Sequence, residues 1–312
     1  MKRVFRVSLL ALALLAPSAE ALAWGDTGHM VVAQVAFGRL NAKARARVNE
    51  LLVPAPGMPD ERRGLVYFCE QTYTPVTIAN WMDDMRDSSL HDDLKGWHFA
   101  NRNPLVVGTG FTPDIEDVET DVLKQVEWAL DKLEDSRADD DRYTPEDKRD
   151  AELVGYLYHL IGDLHQPLHT CTRYTKTRRG GDRGGNSFEI VVPGTNVRNL
   201  HSYWDGAGGL FAFRNIRRPL DGQGAKAIRD FASAVTAAFP ADQHAAQWSK
   251  KKPSEWVAES NKLAREFAFV AVQENSTPSN AYRDRTQDEC RRRLAFAGYR
   301  LAEVLNNTLG KP

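Results

Sequence analysis

The stretch "TPEDKRDAELVGYLYHLIGDLHQPLH" (Thr144 to His169) sets the architecture, because it states where a long helix starts, what it carries and where it stops. Thr144 offers an N-cap, Pro145 a first-turn proline, and Glu146 and Asp147 put acids at the positive helix end. The helix runs on to the neighbourhood of Pro167, since proline disfavours helix at the residue before it. Within it His159 and Asp163 are four residues apart and share one face, so together they can hold a cation. His165, at about 100° per residue, is rotated well away and reads as a packing or capping residue. His169 lies beyond the proline, where the chain can turn back toward the same site.

Helical periodicity continues on either side. Met30 to Leu52 places Ala33, Phe37, Leu40, Ala44, Val48 and Leu51 at three- and four-residue steps, and predicts one helix. Glu116 to Ser136, Gly224 to Phe239, Pro253 to Gln273 and Asp288 to Leu309 predict four more. Strand character is confined to "NSFEIVVPGTNVRNL" (Asn186 to Leu200), where alternating apolar residues flank a Pro-Gly-Thr-Asn turn and predict a small β-hairpin. With no repeat or linker, the expectation is a mainly α chain forming a single helical domain.

Residues 1–23 read as a secretory leader, with Lys2, Arg3 and Arg6 before an apolar run and Ala21-Leu22-Ala23 as a small-residue cleavage signal. The domain would then span 24–312 and begin at Trp24, in a periplasm or outside the cell, with no membrane association after cleavage. Without the leader the chain keeps 38 basic residues against 41 acidic ones, a net charge of −3. Global charge thus gives no sign of a nucleic-acid partner, and positive charge for a polyanion must be local. The basic run Arg173, Lys176, Arg178, Arg179, Arg183 is the place where it is expected. Cys69, Cys171 and Cys290 allow one disulfide, its pairing open, and leave one thiol.

A second four-residue pair, His201 and Asp205, stands in "NLHSYWD", and "NWMDDMRDSS" with "GWHFANRNP" supplies Asp83, Arg86 and His98. Any one such pair is ordinarily a helix-surface hydrogen bond or salt bridge. Concentration is what distinguishes them: of eight histidines, His29, His98, His159, His169 and His201 fall in these stretches or near Trp24. Histidine and carboxylate donors without a cysteine pair suit hydrolytic zinc better than a closed structural site.

Taken in order, "WGDTGH", "WMDDMR", "WHF", "HLIGDLHQPLH", "GGN" and "NLHSYWD", with the ending "AGYRLAEVLN", resemble the zinc-dependent single-strand nuclease and 3′-nucleotidase family of the S1/P1 type. The resemblance covers essentially all of 24–312. It implies a mostly α domain with three zinc ions in a cleft. One ion would be held by Asp83, His98, His159 and Asp163, and a second by His169, His201 and Asp205. The third would be held by His29, by Asp163 as a bridge, and by the α-amine and carbonyl of Trp24. An α-amine of pKa about 8 can lose its proton to zinc, but only once the leader is cut. Such ions activate water and neutralise charge at phosphorus.

The resemblance also implies catalytic roles for Asp83 and for Arg86, the latter as a phosphate clamp, and substrate contacts for Phe99, which could stack a base, and Asn186. Asn101 stands where fungal members carry aspartate, which leaves base preference open. Arg183 belongs to the basic run, which looks longer than in those relatives. The expected partners are single-stranded DNA and RNA and nucleotides, bound by a monomer. Two rivals keep the same zinc chemistry: a phospholipase C, and a non-catalytic periplasmic zinc-binding protein. Phe99, the GGN loop and the basic run favour nucleotides over lipid, and Arg86 has no use in metal storage.

Overall fold

The computed structural model describes residues 24–52, 73–86, 92–100, 103–115, 121–134, 145–212 and 216–310. In chain order its helices are α1 (Asp26–Arg39), α2 (Ala42–Leu52), α3 (Trp81–Arg86), α4 (Val122–Glu134), α5 (Pro145–His165), α6 (Leu200–Asp205), α7 (Gly222–Ala238), α8 (Ala245–Trp248), α9 (Pro253–Leu263) and α10 (Asn280–Thr308). Tight 3₁₀ turns at Thr77–Asn80, Asp92–His98 and Pro167–Thr170 join them. The chain is a mostly helical single domain. Among the described residues, no helix is long and apolar enough to cross a membrane.

α5 is the axis. From Leu157 to His165 every residue is buried, so this segment is enclosed on all sides and can present polar groups in two directions. α4 and α10 pack along it, and α10 also covers α1 and α7. The core between them is built from Trp24, Trp81, Trp204 and Trp256 together with aliphatic residues of α1, α5 and α10.

The helix expected over 30–52 is two helices. Leu40 turns extended (ψ 135°) and Asn41 Oδ1 accepts from Ala44 N at 2.8 Å, so a cap restarts the helix where periodicity alone reads straight through. Likewise Asp121 Oδ1 caps α4 through Lys124 N at 2.9 Å, while 116–120 and 135–136 lie outside the described residues. α10 begins at Asn280 rather than near Asp288, because Ser279 caps it through Tyr282 N. The helix expected over 253–273 ends at Leu263 and passes into a π turn, Ala264–Ala268.

The expected hairpin is reduced. Ile190 N donates to Arg198 O and Leu200 N to Phe188 O, framing a single antiparallel bridge between Glu189 and Asn199. The two-stranded sheet instead pairs β1 (Leu105–Val107) with β2 (Arg173–Thr175) in parallel, Leu105 opposite Arg173. Three-residue strands have no periodicity to betray them in sequence. Cys171 and Cys290 are separate buried thiols, not bonded to each other, and Cys69 lies outside the described residues.

Candidate metal centre

α5 brings His159 and Asp163 to one buried face, and each further element adds one or two donors. α1 supplies His29, α3 supplies Asp83, and the turn ending at His98 supplies that ring. The 3₁₀ turn after Gln166 folds His169 back: Gln166 Oε1 accepts from Leu168 N at 2.6 Å and so shapes the exit from the helix. Asn199 caps α6 through Ser202 N, which orients His201 and Asp205.

Three groups result: His29, His159 and Asp163; Asp83, His98 and His159; and His169, His201 and Asp205. In each, ligand atoms lie within 4.8 Å of one another, and every member is buried. The first two share His159 and are linked by Asp163, whose Oδ2 is 3.0 Å from His98 Nδ1 and 3.2 Å from His159 Nε2, while its Oδ1 is 3.4 Å from His29 Nε2. Trp24 seals the edge of the first group, burying its ring and donating from Nε1 to Gly162 O at 2.9 Å. Gly25 N reaches across to Asp205 O.

The third group tests whether these residues suit an ion. His169 Nδ1 is 2.8 Å from the carbonyl of His98 and His201 Nδ1 is 2.6 Å from that of Gly184. A carbonyl only accepts, so both rings carry the proton on Nδ1 and present a bare lone pair at Nε2. Those two Nε2 atoms face each other at 3.2 Å. Burial pushes the pKa of His169 down to about 3 and that of His201 to about 4, so near neutral pH no proton relieves the repulsion. Two donors at roughly 2.0–2.1 Å from a tetrahedral zinc stand about 3.3 Å apart, which matches.

The other two groups repeat the pattern. Neither nitrogen of His29 nor Nε2 of His98 has a hydrogen-bond partner, and Asp163 Oδ1 accepts none. Such buried orphans cost stability unless a cation satisfies them. His159 Nδ1 donates to Ala79 O at 2.6 Å, again turning Nε2 inward. Burial opposes charge on His159, yet Asp163 and Asp83 outweigh it and push its pKa up to about 9. Asp163 itself is held well below the usual carboxylate range: burial opposes its charge, but His159 and His169 prevail. A bound cation would take the place of that proton.

Two glycines make room. A Cβ on Gly162 would stand 2.8 Å from His29 Nδ1, so only glycine lets His29 lie against α5 and stack on His159 with ring centroids 4.0 Å apart. Gly184 has φ +63° and a Cβ there would stand 2.4 Å from Leu168 O; this backbone is what offers its carbonyl to His201.

A family profile described as S1/P1 Nuclease matches residues 24–310. The chain belongs to the S1/P1 nuclease family. Among curated relatives it is 26% identical to Endonuclease 5 of Arabidopsis thaliana, over 97% of this chain and 96% of that one. It is 21% identical to Nuclease S1 of Aspergillus oryzae, with 93% of each chain covered, and 22% identical to Nuclease P1 of Penicillium citrinum, over 92% of this chain and 98% of that one. Membership of the S1/P1 nuclease family supports a nuclease, a hydrolase acting on phosphodiester bonds.

The substrate residues expected from sequence are placed unevenly. Phe99 is half-buried with its ring 4.7 Å from that of His169 and 6.0 Å from that of His201, at the rim of the third group. Asn186 Nδ2 donates to Arg183 O at 2.8 Å, which ties its side chain to the GGN turn, and Arg183 is exposed in a left-handed conformation (φ 54°). Asn101 and the side chain of Arg86 lie outside the described residues.

Three of the five residues of the basic run are paired with acids, while Lys176 and Arg183 are exposed. Arg173 pairs with Asp182 and Glu274, Arg178 with Glu274, and Arg179 with Asp114. Glu274 comes from a region about a hundred residues on, invisible to local charge counting. Cys171 joins none of the three groups, and burial pushes its thiol up to about 12, so without a metal it stays protonated near neutral pH. His165 donates to Ile161 O and accepts from Arg300, in keeping with a packing role.

Two supporting residues escaped the sequence reading. Gln166 Nε2 donates to Asp205 Oδ1 at 2.7 Å and steadies that carboxylate. Arg218 grips Asp84 through its two terminal guanidinium nitrogens and reaches Asp26 Oδ2 at 3.2 Å, tying the start of α1 to α3 beside Asp83. A glutamine before proline is a faint signal, and an arginine in "RRPL" is none.

Proposed function

We propose that this chain is an exported, zinc-dependent endonuclease that cuts single-stranded DNA and RNA to 5′-phosphorylated products and also removes 3′-phosphates from nucleotides. The observation that carries the metal reading is the pair of bare lone pairs of His169 and His201 at 3.2 Å, buried where no proton binds near neutral pH. Zinc would be held by Asp83, His98, His159 and Asp163 in one position and by His169, His201 and Asp205 in another. A third position would use His29, Asp163 and the α-amine and carbonyl of Trp24. Bound zinc supplies an activated water and charge neutralisation at phosphorus.

The chain's own residues do the rest. Phe99, at the rim, offers a ring for a base to stack on. Asn186 and Arg183 sit on the same glycine-rich turn, where an amide and a cation can meet a base and a phosphate. Asn101 and Arg86 keep their proposed roles, base contact and phosphate clamp, on sequence position. Residues 1–23 are proposed as a leader removed before Trp24. Support comes from the full burial of Trp24 against Gly162 and from a family match that starts at residue 24.

The test is a panel: protein beginning at Trp24, zinc-loaded, assayed on single-stranded DNA, RNA, 3′-nucleotides and lecithin vesicles. Cleavage of the nucleic acids with 5′-phosphate ends is expected. Hydrolysis of lecithin with denatured DNA and RNA left intact would sink the reading in favour of a phospholipase.

A further inference from the structure

With Arg173, Arg178 and Arg179 paired, Lys176 and Arg183 are, among the described residues, the unpaired cations of the basic run, and a strand longer than one nucleotide needs more positive charge than those two. A second site supplies it. Between α9, the π turn and β1 lies a cavity of about 610 Å³, within the range of small-ligand pockets. Its floor is apolar, from Leu105, Leu123 and Val257, and Lys262 and Arg265 stand at its edge with Glu266. Among the described residues neither Lys262 nor Arg265 makes an ion pair, in contrast to Arg173, Arg178 and Arg179.

The wall is tied to the metal centre. Asn261 Nδ2 donates to Thr170 O at 2.7 Å and to Asn103 O at 3.0 Å. Thr170 follows His169, whose carbonyl accepts from Ala100 N, and Thr172 O accepts from Leu105 N. Both hydrogens of the Asn261 amide are spent on these carbonyls, so Asn261 fixes the wall of the cavity against the turn that carries His169. An apolar lining with two unpaired cations at hand suits a base with its phosphate.

We propose that this cavity is an accessory nucleotide site, holding one unit of a single strand whose cleaved bond lies at the metal centre. The inference rests on the nuclease reading. Lys262 and Arg265 contact phosphate, Leu105 packs against the base, and long strands therefore bind more tightly than short ones.

The experiment compares wild type with K262A/R265A, both zinc-loaded, on a dinucleotide and on a single strand of about 12 nucleotides, across a salt series. The variant is expected to raise KM for the long strand roughly fivefold or more and to flatten its salt dependence by about 1.4 in log–log slope, two phosphates at about 0.7 each. Dinucleotide kinetics and zinc content stay unchanged. L105W, at a half-buried position of the lining, fills the cavity and keeps both cations, and should raise the long-strand KM without changing the salt slope. Equal effects on both lengths, or none, would overturn the site while leaving the nuclease reading intact. A wild type that cuts neither substrate would overturn both.

Discussion

α5 carries two buried polar clusters on different faces, and they are built on opposite rules. On one face His159 and Asp163 join His29, Asp83 and His98 in a set where nitrogen meets nitrogen and ring atoms lack partners. On the other, His165 accepts from Arg300, and Arg300 and Arg293 share Glu259. Arg293 also caps the end of α5 through His165 O, and through Ser260, which donates to Leu164 O. Every group there is matched by another from the chain. Both clusters are polar and largely buried, one of His and Asp and the other built on two arginines; what decides between them is whether the hydrogen bonds close. An open buried cluster marks a place for an ion, and a closed one marks structure.

The largest effect expected from breaking this contrast is at Asp163, which faces two groups at once. D163N should reduce bound metal and turnover by more than the roughly 10- to 100-fold typical of losing a group that only supports a ligand. Metal content by elemental analysis, with far-UV circular dichroism to show the fold intact, checks it. Retention of full metal would mean that Asp163 links the groups only through hydrogen bonds.

The closed face should answer in stability instead. E259Q is expected to cost about 2 kcal/mol by urea unfolding, the order seen when a partly buried charge pair is broken, and to leave zinc content unchanged. Glu259, opposed by its own burial, is nonetheless pulled down to about 2 by Arg300 and Arg293 from an ordinary value of 4.5. A depressed carboxylate stabilises the fold above its unfolded pKa, and that contribution is lost as pH falls through its folded value. The difference between wild type and E259Q, measured on metal-free protein, should therefore shrink from pH 5 toward pH 2. A constant difference would assign the loss to packing rather than charge.

Smallest is the effect expected at Arg218, which touches no candidate ligand. R218A should weaken metal binding about tenfold by loosening α1 against α3, with R218K restoring part of it. Competition with a chelator reads this out independently of turnover. A fall in thermal midpoint with unchanged metal affinity would make Arg218 a strut alone.

Much of the centre was legible because its spacing is helical: His159 with Asp163 and His201 with Asp205 are read off a four-residue step, and Pro167 announces the turn that returns His169. What sequence hides is tertiary. Asn41 breaks a helix whose apolar pattern continues unbroken, and three-residue strands leave no trace. Glu274 cancels arginines a hundred residues away, and Gln166 and Arg218 act through carboxylates they meet only in the fold.

The three groups also differ in how much chain each must close. His169, His201 and Asp205 fall within 37 consecutive residues, whereas His29 must meet Asp163 across 134. Loop closure scales with the logarithm of length, so the longer closure costs about 1 kcal/mol more before any contact rewards it. During synthesis the local group is complete while α7 to α10 are still unmade, yet α1 gains its cover only when α10 arrives. The order in which the chain leaves the ribosome thus orders the pockets, the local one first and the one at the N-terminus last.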